Sequence, residues 1–575
     1  MVAIFSGNSL GLNLSSLTSL GGRGLFGSST QGQGGERAYV NVFSGNLVLQ
    51  RGDALLVGNG PDTSALRTYN SQGAYDFDGN GDFWQGAPTR AIQDLGGGRL
   101  RRIDTDGSTC DYAWDAAKGA YLAEITGSSA RDSIVINGDG TYTWTDGAST
   151  TRETYQAGAV GRILTQTDAA GNTLSYSYSG SNQLTAVTSA SGESITYTYG
   201  GASGRNLLRV DTALNVDGVL TLQSVSYTYD AQNRLETVSV ALNPRGLGAV
   251  TAGETGTVFK TTYTYDGTSN RVASVVQSDG TRTDFTYVLV GGTYRVATVQ
   301  DGAGNVTQFA YDAAAGKTTV TDPLGVSTVY QYDTKGQLTL VRGGVTAANP
   351  GGLTWVSYGY DATGDVASIT DALGRTVQLS YDNGNLTRQV DSAGNTIDRT
   401  YDGHNQLLTE TVTTGSGALT TRYVYDAGGK NELRFVISPE GRVTEHRYGT
   451  GTPTDEPLGR RIATLEYRAR GYESLRVGGD GRSDRAAAEG LGHGPRGRPQ
   501  PRRPHQLQVR SARRAEAVGG LHGAGRDGRG RLRHRCHHPV RLQRARRAAA
   551  DHHARWTWPH PDRLRRHGGA WSPAW

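Results

Sequence analysis

The stretch "DALGRTVQLSYDNGNLTRQVDSAGNTIDRTYDGHNQLL", residues 371–408, says one thing twice. Asp371 and Asp391 each open an Asp-x-x-Gly, closed by Gly374 and Gly394, and ten residues after each Asp stands a pair, Tyr381-Asp382 and Tyr401-Asp402. The offset recurs from Asp301 with Gly304 to Tyr311-Asp312, and from Asp322 with Gly325 to Tyr332-Asp333. It recurs from Asp168 with Gly171 to Tyr178, and from Ser438 to Tyr448, where the following Asp is missing. Tyr360-Asp361 and Tyr425-Asp426 add two more pairs. Successive tyrosines stand 21 (311 to 332), 21 (360 to 381) and 20 (381 to 401) residues apart. A fixed period of this size means a repeat architecture, in which no unit folds alone.

Each unit has a legible chemistry. Asp or Ser opens a turn because its side-chain oxygen accepts a backbone N–H two residues on, and Gly at the fourth place takes the left-handed conformation. The pairing predicts a hairpin with a type I turn and a G1 bulge. Alternating stretches such as "NTLSYSYS", "SITYTYG" and "KTTYTYD" follow, and a period of two is a strand signal. In Tyr-x-Tyr-Asp both rings are expected on one face, with the Asp ending the strand in the next turn. One hairpin is barely stable, so neighbours must stack in register to bury their Tyr, Val and Leu faces. The expected fold is all-β, a spiral, solenoid-like strip of antiparallel hairpins that twists and coils.

Composition agrees with β structure rich in turns: 36% hydrophobic residues, 82 glycines and 29 tyrosines. The net charge of +5 suggests nucleic acid until it is located. Residues 471–575 hold 23 Arg, no Lys and 8 acidic residues, a net of +15. The remainder has 35 basic (58 − 23) against 45 acidic (53 − 8) residues, a net of −10. All of the basicity is in the tail, so no nucleic-acid partner is assigned to the body. There is no apolar run near 18 residues and so no helical membrane span. The start "MVAIFSGNSLGLNLSSLTSLGG" lacks a basic n-region and a sustained apolar run, and a Sec signal peptide is not expected.

The Tyr-Asp units, with Asp-x-x-Gly-Asn or Asp-x-x-Gly-Arg between them, resemble the YD repeats of the RHS family, found in bacterial polymorphic toxins, toxin-complex subunits and the teneurins. The repetition covers roughly residues 165–450, and residues 36–73 resemble the N-terminal module of large bacterial RHS proteins. The resemblance implies a hollow spiral shell of β-sheet without enzymatic activity, secreted or at the cell surface. It implies a C-terminal toxic effector and its immunity protein as partners. The alternative it offers is an adhesin whose exposed tyrosines contact glycans or a neighbouring cell. The chain departs from toxin-bearing members in one place: no Tyr- and Asp-Pro-rich core end follows residue 450. "TDPLGV", residues 321–326, sits inside an ordinary repeat, and "LEYRARGYES", residues 465–474, reads as a chance echo.

The vocabulary changes after about residue 475. Lys, Phe, Ile, Asn and Tyr vanish, and ten of the twelve histidines lie beyond residue 458. Abrupt loss of so many residue types is what a GC-rich gene gives when read in the wrong frame. Codons started at the second base from His505 permit, with suitable wobble bases, Thr-Asn-Tyr-Lys-Tyr-Asp-Leu-Arg-Gly-Glu-Leu-Lys-Arg, which matches the in-frame "YQYDTKGQL". The same shift from His537 permits Thr-Thr-Arg-Tyr-Ala-Tyr-Asn-Ala-Arg-Gly-x-Leu-Leu. Residues from roughly 475 onward are therefore read as out-of-frame translation of further repeats, expected to lack a packed core. The chain is read as the front of a longer shell protein.

Other motifs are weaker than their bland readings. "GRGLFG", residues 22–27, fits G-x-G-x-x-G but has no strand before it or helix after it, so it is read as leader. "DFDGNGDFW", residues 76–84, places Asp76, Asp78, Asn80 and Gly81 where a calcium loop wants them, yet Ala87 stands where the bidentate Glu belongs. "RHRCHHP", residues 533–539, clusters Cys536 with three histidines but has no second ligand pair at zinc spacing. Cys110 is the other cysteine, and no disulfide framework follows from two. The body holds only His404 and His446, so no Ser-His-Asp or Cys-His set can be assembled. No catalytic residue, cofactor or metal is assigned. The expected organisation is a Gly/Ser-rich leader at 1–36, a β-rich module at 37–160, YD repeats at 161–456, a junction at 457–474 and the tail at 475–575.

Overall fold

A computed structural model describes residues 2–12, 29–56, 60–73, 75, 79–124, 131–190, 192–216, 219–242, 245–246, 258–426, 432–448 and 461–467. Among the described residues the chain is all β, with thirty-nine strands and no helix. The tail at 475–575 and the motifs at 22–27 and 533–539 lie outside the described residues, as do Asp76 and Asp78.

The first part is a small sheet. Ala3–Phe5 runs parallel to Glu36–Asn41, after which Leu47–Leu56, Thr63–Asn70 and Trp84–Gln85 follow antiparallel. The expected leader is thus partly structural: Val2, Ile4, Phe5 and Leu12 are buried. The run "RAYVNVFSGNLVL" is apolar on both strand faces because both are covered. Ala38, Val40, Leu47 and Leu49 join the main core, while Tyr39 and Val48 pack with Phe5 and Leu12 on the other side.

The second part is a closed ring of eight strands, from Ala91–Gly96 to Val160–Thr167. Consecutive strands pair antiparallel, and the last returns to the first through Val160↔Gln93, Gly161↔Ile92 and Arg162↔Ala91. Leu100, Tyr112, Ile134, Trp144 and Tyr155 fill it, with Glu153 bonded to Arg90 (3.0 Å) and Arg102 (2.8 Å). The single module expected at 37–160 is therefore two sheets.

The strip leaves the ring at Val160–Thr167. One edge of this strand faces Arg152–Tyr155; the other gives its first half to the ring and its second half, Thr165–Thr167, to Thr173–Tyr178. From there antiparallel strands follow one another to Ala463–Tyr467, which pairs with Val443–Arg447. Leu465, Glu466 and Tyr467, read from sequence as a chance echo, belong to this last described strand.

Two kinds of hairpin alternate. Seven of the hairpins closed by Asp-x-x-Gly or a similar turn have only three residue pairs before their strands splay, as in Ser368↔Gln378, Ile369↔Val377 and Thr370↔Thr376. At the splayed end of six of them a Tyr hydroxyl crosses the gap to the carbonyl fifteen residues earlier. These are Tyr178 to Ile163 (2.8 Å), Tyr287 to Val272 (2.8 Å), Tyr311 to Val296 (2.8 Å), Tyr381 to Val366 (3.1 Å), Tyr401 to Leu386 (2.9 Å) and Tyr448 to Leu433 (3.1 Å). The tyrosine thus satisfies a carbonyl that the short ladder leaves without a strand partner. In the hairpin on the other side, the register shifts immediately before the same tyrosine at Tyr178, Tyr381 and Tyr401. A bulge there re-aims the ring and sharpens the local twist.

The turns themselves are built by their first residue. Asp371 Oδ1 accepts the amides of Leu373 (2.9 Å) and Arg375 (3.0 Å), while Gly374 N donates to the Asp371 carbonyl at 3.0 Å. Gly374 sits at φ +77°, and a Cβ there would meet nothing within 4 Å. Any cost of a side chain is then backbone strain alone. Gly374→Val is expected to destabilise the protein by about 1–3 kcal/mol in urea unfolding; an unchanged midpoint would contradict this turn geometry.

Candidate functional site: the inner face of the strip

The residues singled out in the sequence do not converge on one point; they form the two rims of the strip. On one rim, the carboxylates of Asp168, Asp301, Asp322, Asp371 and Asp391 each accept the amide four residues on, at 2.8–3.0 Å. Gly171, Gly304, Gly325, Gly374 and Gly394 all have φ between 77° and 89°. The Asn395 side chain holds the Asp391 carboxyl below its ordinary pKa. On the other rim, Asp333, Asp361 and Asp402 accept the amides two and four residues on, each at 2.9 Å or shorter.

Three of the Tyr-Asp aspartates differ. Asp312 accepts the Ala315 amide three residues on and pairs with Lys317 at 3.3 Å. Asp382 is the last paired residue of its strand rather than part of the turn; it pairs with Asn385 across a two-residue Asn383-Gly384 turn, both of whose residues have positive φ. Asp426 lies 3.6 Å from Arg434. Among the tyrosines, Tyr360 donates to the Leu338 carbonyl (2.7 Å), and Tyr332 meets Thr318 Oγ1 (3.1 Å) with its ring against Phe43. Tyr425 is half-buried, and burial pushes its pKa up to about 12.

The aromatic residues two places before the repeat tyrosines were expected on the same strand face but were not singled out from the sequence. Tyr176, Tyr197, Tyr227, Tyr263, Phe285, Phe309, Tyr330 and Tyr358 form a row of buried aromatic side chains. The fixed −2 offset was the available signal. This row faces the N-terminal sheet, and the contact centres on Arg67, 1% exposed. Its guanidinium holds Asp53 through two bonds (2.9 and 3.2 Å), reaches Glu36 at 3.4 Å and donates to the Tyr263 hydroxyl at 2.5 Å. The Tyr227 hydroxyl donates to Asp53 at 2.7 Å, and the indole of Trp84 lies 5.1 Å from the guanidinium. Burial alone would lower the Arg67 pKa, but Asp53, Tyr263 and Glu36 outweigh it and hold it well above its usual value. Burial raises the Tyr227 and Tyr263 hydroxyls well above theirs, so both stay protonated, Tyr227 donating to Asp53 and Tyr263 accepting from Arg67.

Further bonds spread the sheet along the strip. Tyr69 donates to the Asn270 carbonyl (3.0 Å) and accepts the Val272 amide (2.8 Å); Gln277 donates to the Gln31 carbonyl (2.6 Å); Thr318 donates to the Val42 carbonyl (2.6 Å). The cover ends there. The next four residues of the row, Leu379, Arg399, Tyr423 and His446, are only half-buried, and Arg399 pairs with Glu410 at 2.9 Å. Burial and the Arg461 charge lower the His446 pKa. Among the described residues no group of three His, Cys, Asp or Glu is placed to hold a metal ion. Asn80 Oδ1 accepts the Asp82 amide at 3.1 Å, the bond of an Asx turn.

A family model described as RHS Repeat matches residues 159–194, 314–347 and 360–383. The chain carries RHS repeats. The matched RHS segments fall on the strip, starting with the strand that leaves the ring. No curated protein matches the sequence. Among solved structures, the chain is similar to a TcdB2-TccC3-TEV protein at 13% identity and TM-score 0.35, over 74% of this chain and 22% of that one. It is also similar to a Tc holotoxin pore of Photorhabdus luminescens with the TccC3-D651A mutation, at 11% identity and TM-score 0.29, over 75% and 29%. A TcdB2-TccC3 protein without its hypervariable C-terminal region gives 12% identity and TM-score 0.29, over 77% and 32%. The chain thus spans less than a third of the length of each of these proteins.

Replacing Arg67 by Met would leave Asp53 and Glu36 buried without their cation. Unfolding is expected to become easier by about 3–5 kcal/mol, whereas Arg282→Ala, which breaks the exposed pair with Asp284, should cost about 1 kcal/mol or less. Equal losses in a thermal or urea melt would contradict the role given to the Arg67 cluster.

Proposed function

We propose that the protein is a structural, non-enzymatic RHS wall, the front of a shell that encloses and delivers a C-terminal effector. The observation that carries this is the division of the inner row. Eight aromatic side chains, from Tyr176 to Tyr358, are buried in one core with the chain's own N-terminal sheet, and four later positions, from Leu379 to His446, keep a half-open face of mixed polarity. A wall that closes one end with its own sheet and leaves inner surface free is suited to holding something else. Delivery requires export, with an immunity protein guarding the producing cell. No helix among the described residues is long and apolar enough to cross a membrane.

The adhesin reading has less support, since it draws on exposed tyrosines. Among the described residues only Tyr294 and Tyr467 are exposed tyrosines, and most of the repeat tyrosines serve hydrogen bonds within the wall. A photo-crosslinking residue placed in the full gene product at inner position 379, or at outward position 380, separates the two. Crosslinks to the C-terminal effector segment are expected from 379 alone. Equal yields from both positions would remove the enclosing role.

A further inference from the structure

The closed ring docks on the rest of the chain through the loops at one end. The Asp106 carboxylate takes the Leu12 amide at 2.8 Å, the Arg131 amide donates to the Asn383 carbonyl at 3.1 Å, and the Gly147 carbonyl accepts Asn405 Nδ2 at 2.9 Å. These loops follow the strands Arg99–Ile103, Ala120–Ala123 and Tyr142–Thr145. The opposite end opens among the turns at 97–98, 116–119, 137–141 and 156–159. Leu100, Tyr112, Ile134 and Trp144 point into the ring, so residues two places along the same strand, or directly opposite on the next, point inward as well. At the opening these are Asp94 opposite Leu100, Trp114 after Tyr112, Tyr121 opposite both Trp114 and Ile134, Ile136 after Ile134, and Tyr142 before Trp144.

Deep in the ring the inward side chains are sealed, with the Trp144 indole N–H on the Tyr112 hydroxyl at 2.9 Å. At the mouth they are not. Trp114 is 51% exposed, the only exposed tryptophan among the described residues, and Ile136 is 46% exposed. Trp114 meets the half-buried Tyr121 edge to face, with ring centroids 5.1 Å apart and planes at 65°. The floor is Tyr142, 5% exposed, whose ring lies over Gly161, where a Cβ would stand 3.2 Å from it, and whose hydroxyl donates to the Gly158 carbonyl at 2.9 Å. The lip between Asp94 and Trp114 is Gly96-Gly97-Gly98, with no side chain to close over them.

The charge at the mouth selects a ligand. Asp94 Oδ1 takes the Gly96 amide at 2.8 Å, and no Lys or Arg among the described residues pairs with the carboxylate. Arg99, the basic residue at the lip, is paired with Glu124 and Asp111 instead. Burial, then the Asp94 charge and the Tyr121 hydroxyl, raise the Tyr142 pKa, so carboxylate and phenols stand close together. The Tyr142 proton is committed to Gly158, which leaves its oxygen as an acceptor. The surrounding turns add Asp115 and Asp139 against Lys118, so with Asp94 there are three acidic groups to one basic, a net of −2 (1 − 3). Aromatic faces beside an unpaired carboxylate suit a cation clothed in apolar groups, and the mouth of a small barrel is a place where ligands bind. We propose that the mouth of the ring binds a quaternary ammonium group, held on Trp114 and Tyr121 with Asp94 as its counter-charge. The site lies on the ring and not on the inner face of the strip, so it stands or falls apart from the enclosing role. Free choline and the headgroup of a phosphatidylcholine bilayer present the same chemistry.

The test titrates choline chloride onto the full chain and reads binding from saturation transfer to the N-methyl protons by NMR. Saturable binding is expected, weakened about 5- to 30-fold by Trp114→Ala. Asp94→Asn keeps the Oδ1 that accepts the Gly96 amide and removes the charge, and about a fivefold loss is expected. Both positions are exposed, so both variants should melt with the parent. Tyr294→Ala, at an exposed aromatic outside the ring, should bind choline as the parent does. Sedimentation with phosphatidylcholine vesicles that choline competes away and Trp114→Ala abolishes would assign the site to the lipid headgroup; choline binding without sedimentation would assign it to the free molecule. Absence of saturable choline binding would overturn the proposal. So would binding untouched by Trp114→Ala and Asp94→Asn, or equal binding of 3,3-dimethylbutan-1-ol, the uncharged carbon isostere of choline.

Discussion

A carbonyl group at the mouth of a short hairpin sets the terms for this fold. When an Asp-x-x-Gly hairpin splays after three pairs, the first carbonyl of its leading strand loses the amide it would have met. Buried backbone groups cannot be left so. The second Tyr of Tyr-x-Tyr-Asp answers by reaching back fifteen residues, and the bulge before it turns the ring toward that carbonyl. Where both occur, as at Tyr178, Tyr381 and Tyr401, splaying on one side and a bulge on the other add local bend and twist to the sheet. The repeat period is therefore also the unit of curvature, which is why a strip of this composition winds rather than lying flat.

Curvature creates an inner face, and an inner face of tyrosines needs partners. The N-terminal sheet supplies them through one buried cation. Arg67 binds two carboxylates of its own sheet, and the repeat tyrosines Tyr227 and Tyr263 complete the set from the other side. A buried ion pair of this kind adds little net stability but is costly to break. It acts best as a register device, fixing which repeats face which strand of the cover. Beyond Tyr358 the cover stops, and the row turns from aromatic to Leu, Arg, Tyr and His. Change of chemistry and loss of burial coincide there.

Much of the strip was legible in the sequence because its signals are local: period-two alternation, an Asx turn and a glycine at positive φ. The eight-stranded ring was not. Its strands lack the Tyr-Asp signature, and closure depends on Val160–Arg162 meeting Ala91–Gln93 some seventy residues away, which no local pattern states. The start of the chain misled for a similar reason, since "AIF" at 3–5 is too short to read as a strand until Tyr39–Asn41 lies beside it. Asp382 misled because Asn383-Gly384 supplies a two-residue turn of its own. The inner row was readable in principle: an aromatic residue stands two before Tyr178, Tyr287 and Tyr311, and an aliphatic one fifteen before each of those three. What sequence alone could not supply was the side they face, since a Tyr can cover a core or an exterior equally well.

The most direct measurement is amide hydrogen exchange on Tyr381→Phe and Tyr401→Phe. Each variant keeps the ring and loses only the hydroxyl that caps Val366 or Leu386. Losing a bond worth about 0.5–1.5 kcal/mol should speed opening of the affected hairpin by roughly 2- to 13-fold, at residues 366–379 in one variant and 386–399 in the other. Exchange unchanged in both, or faster throughout the protein without regard to which tyrosine was altered, would contradict the claim that these hydroxyls hold the splayed hairpins.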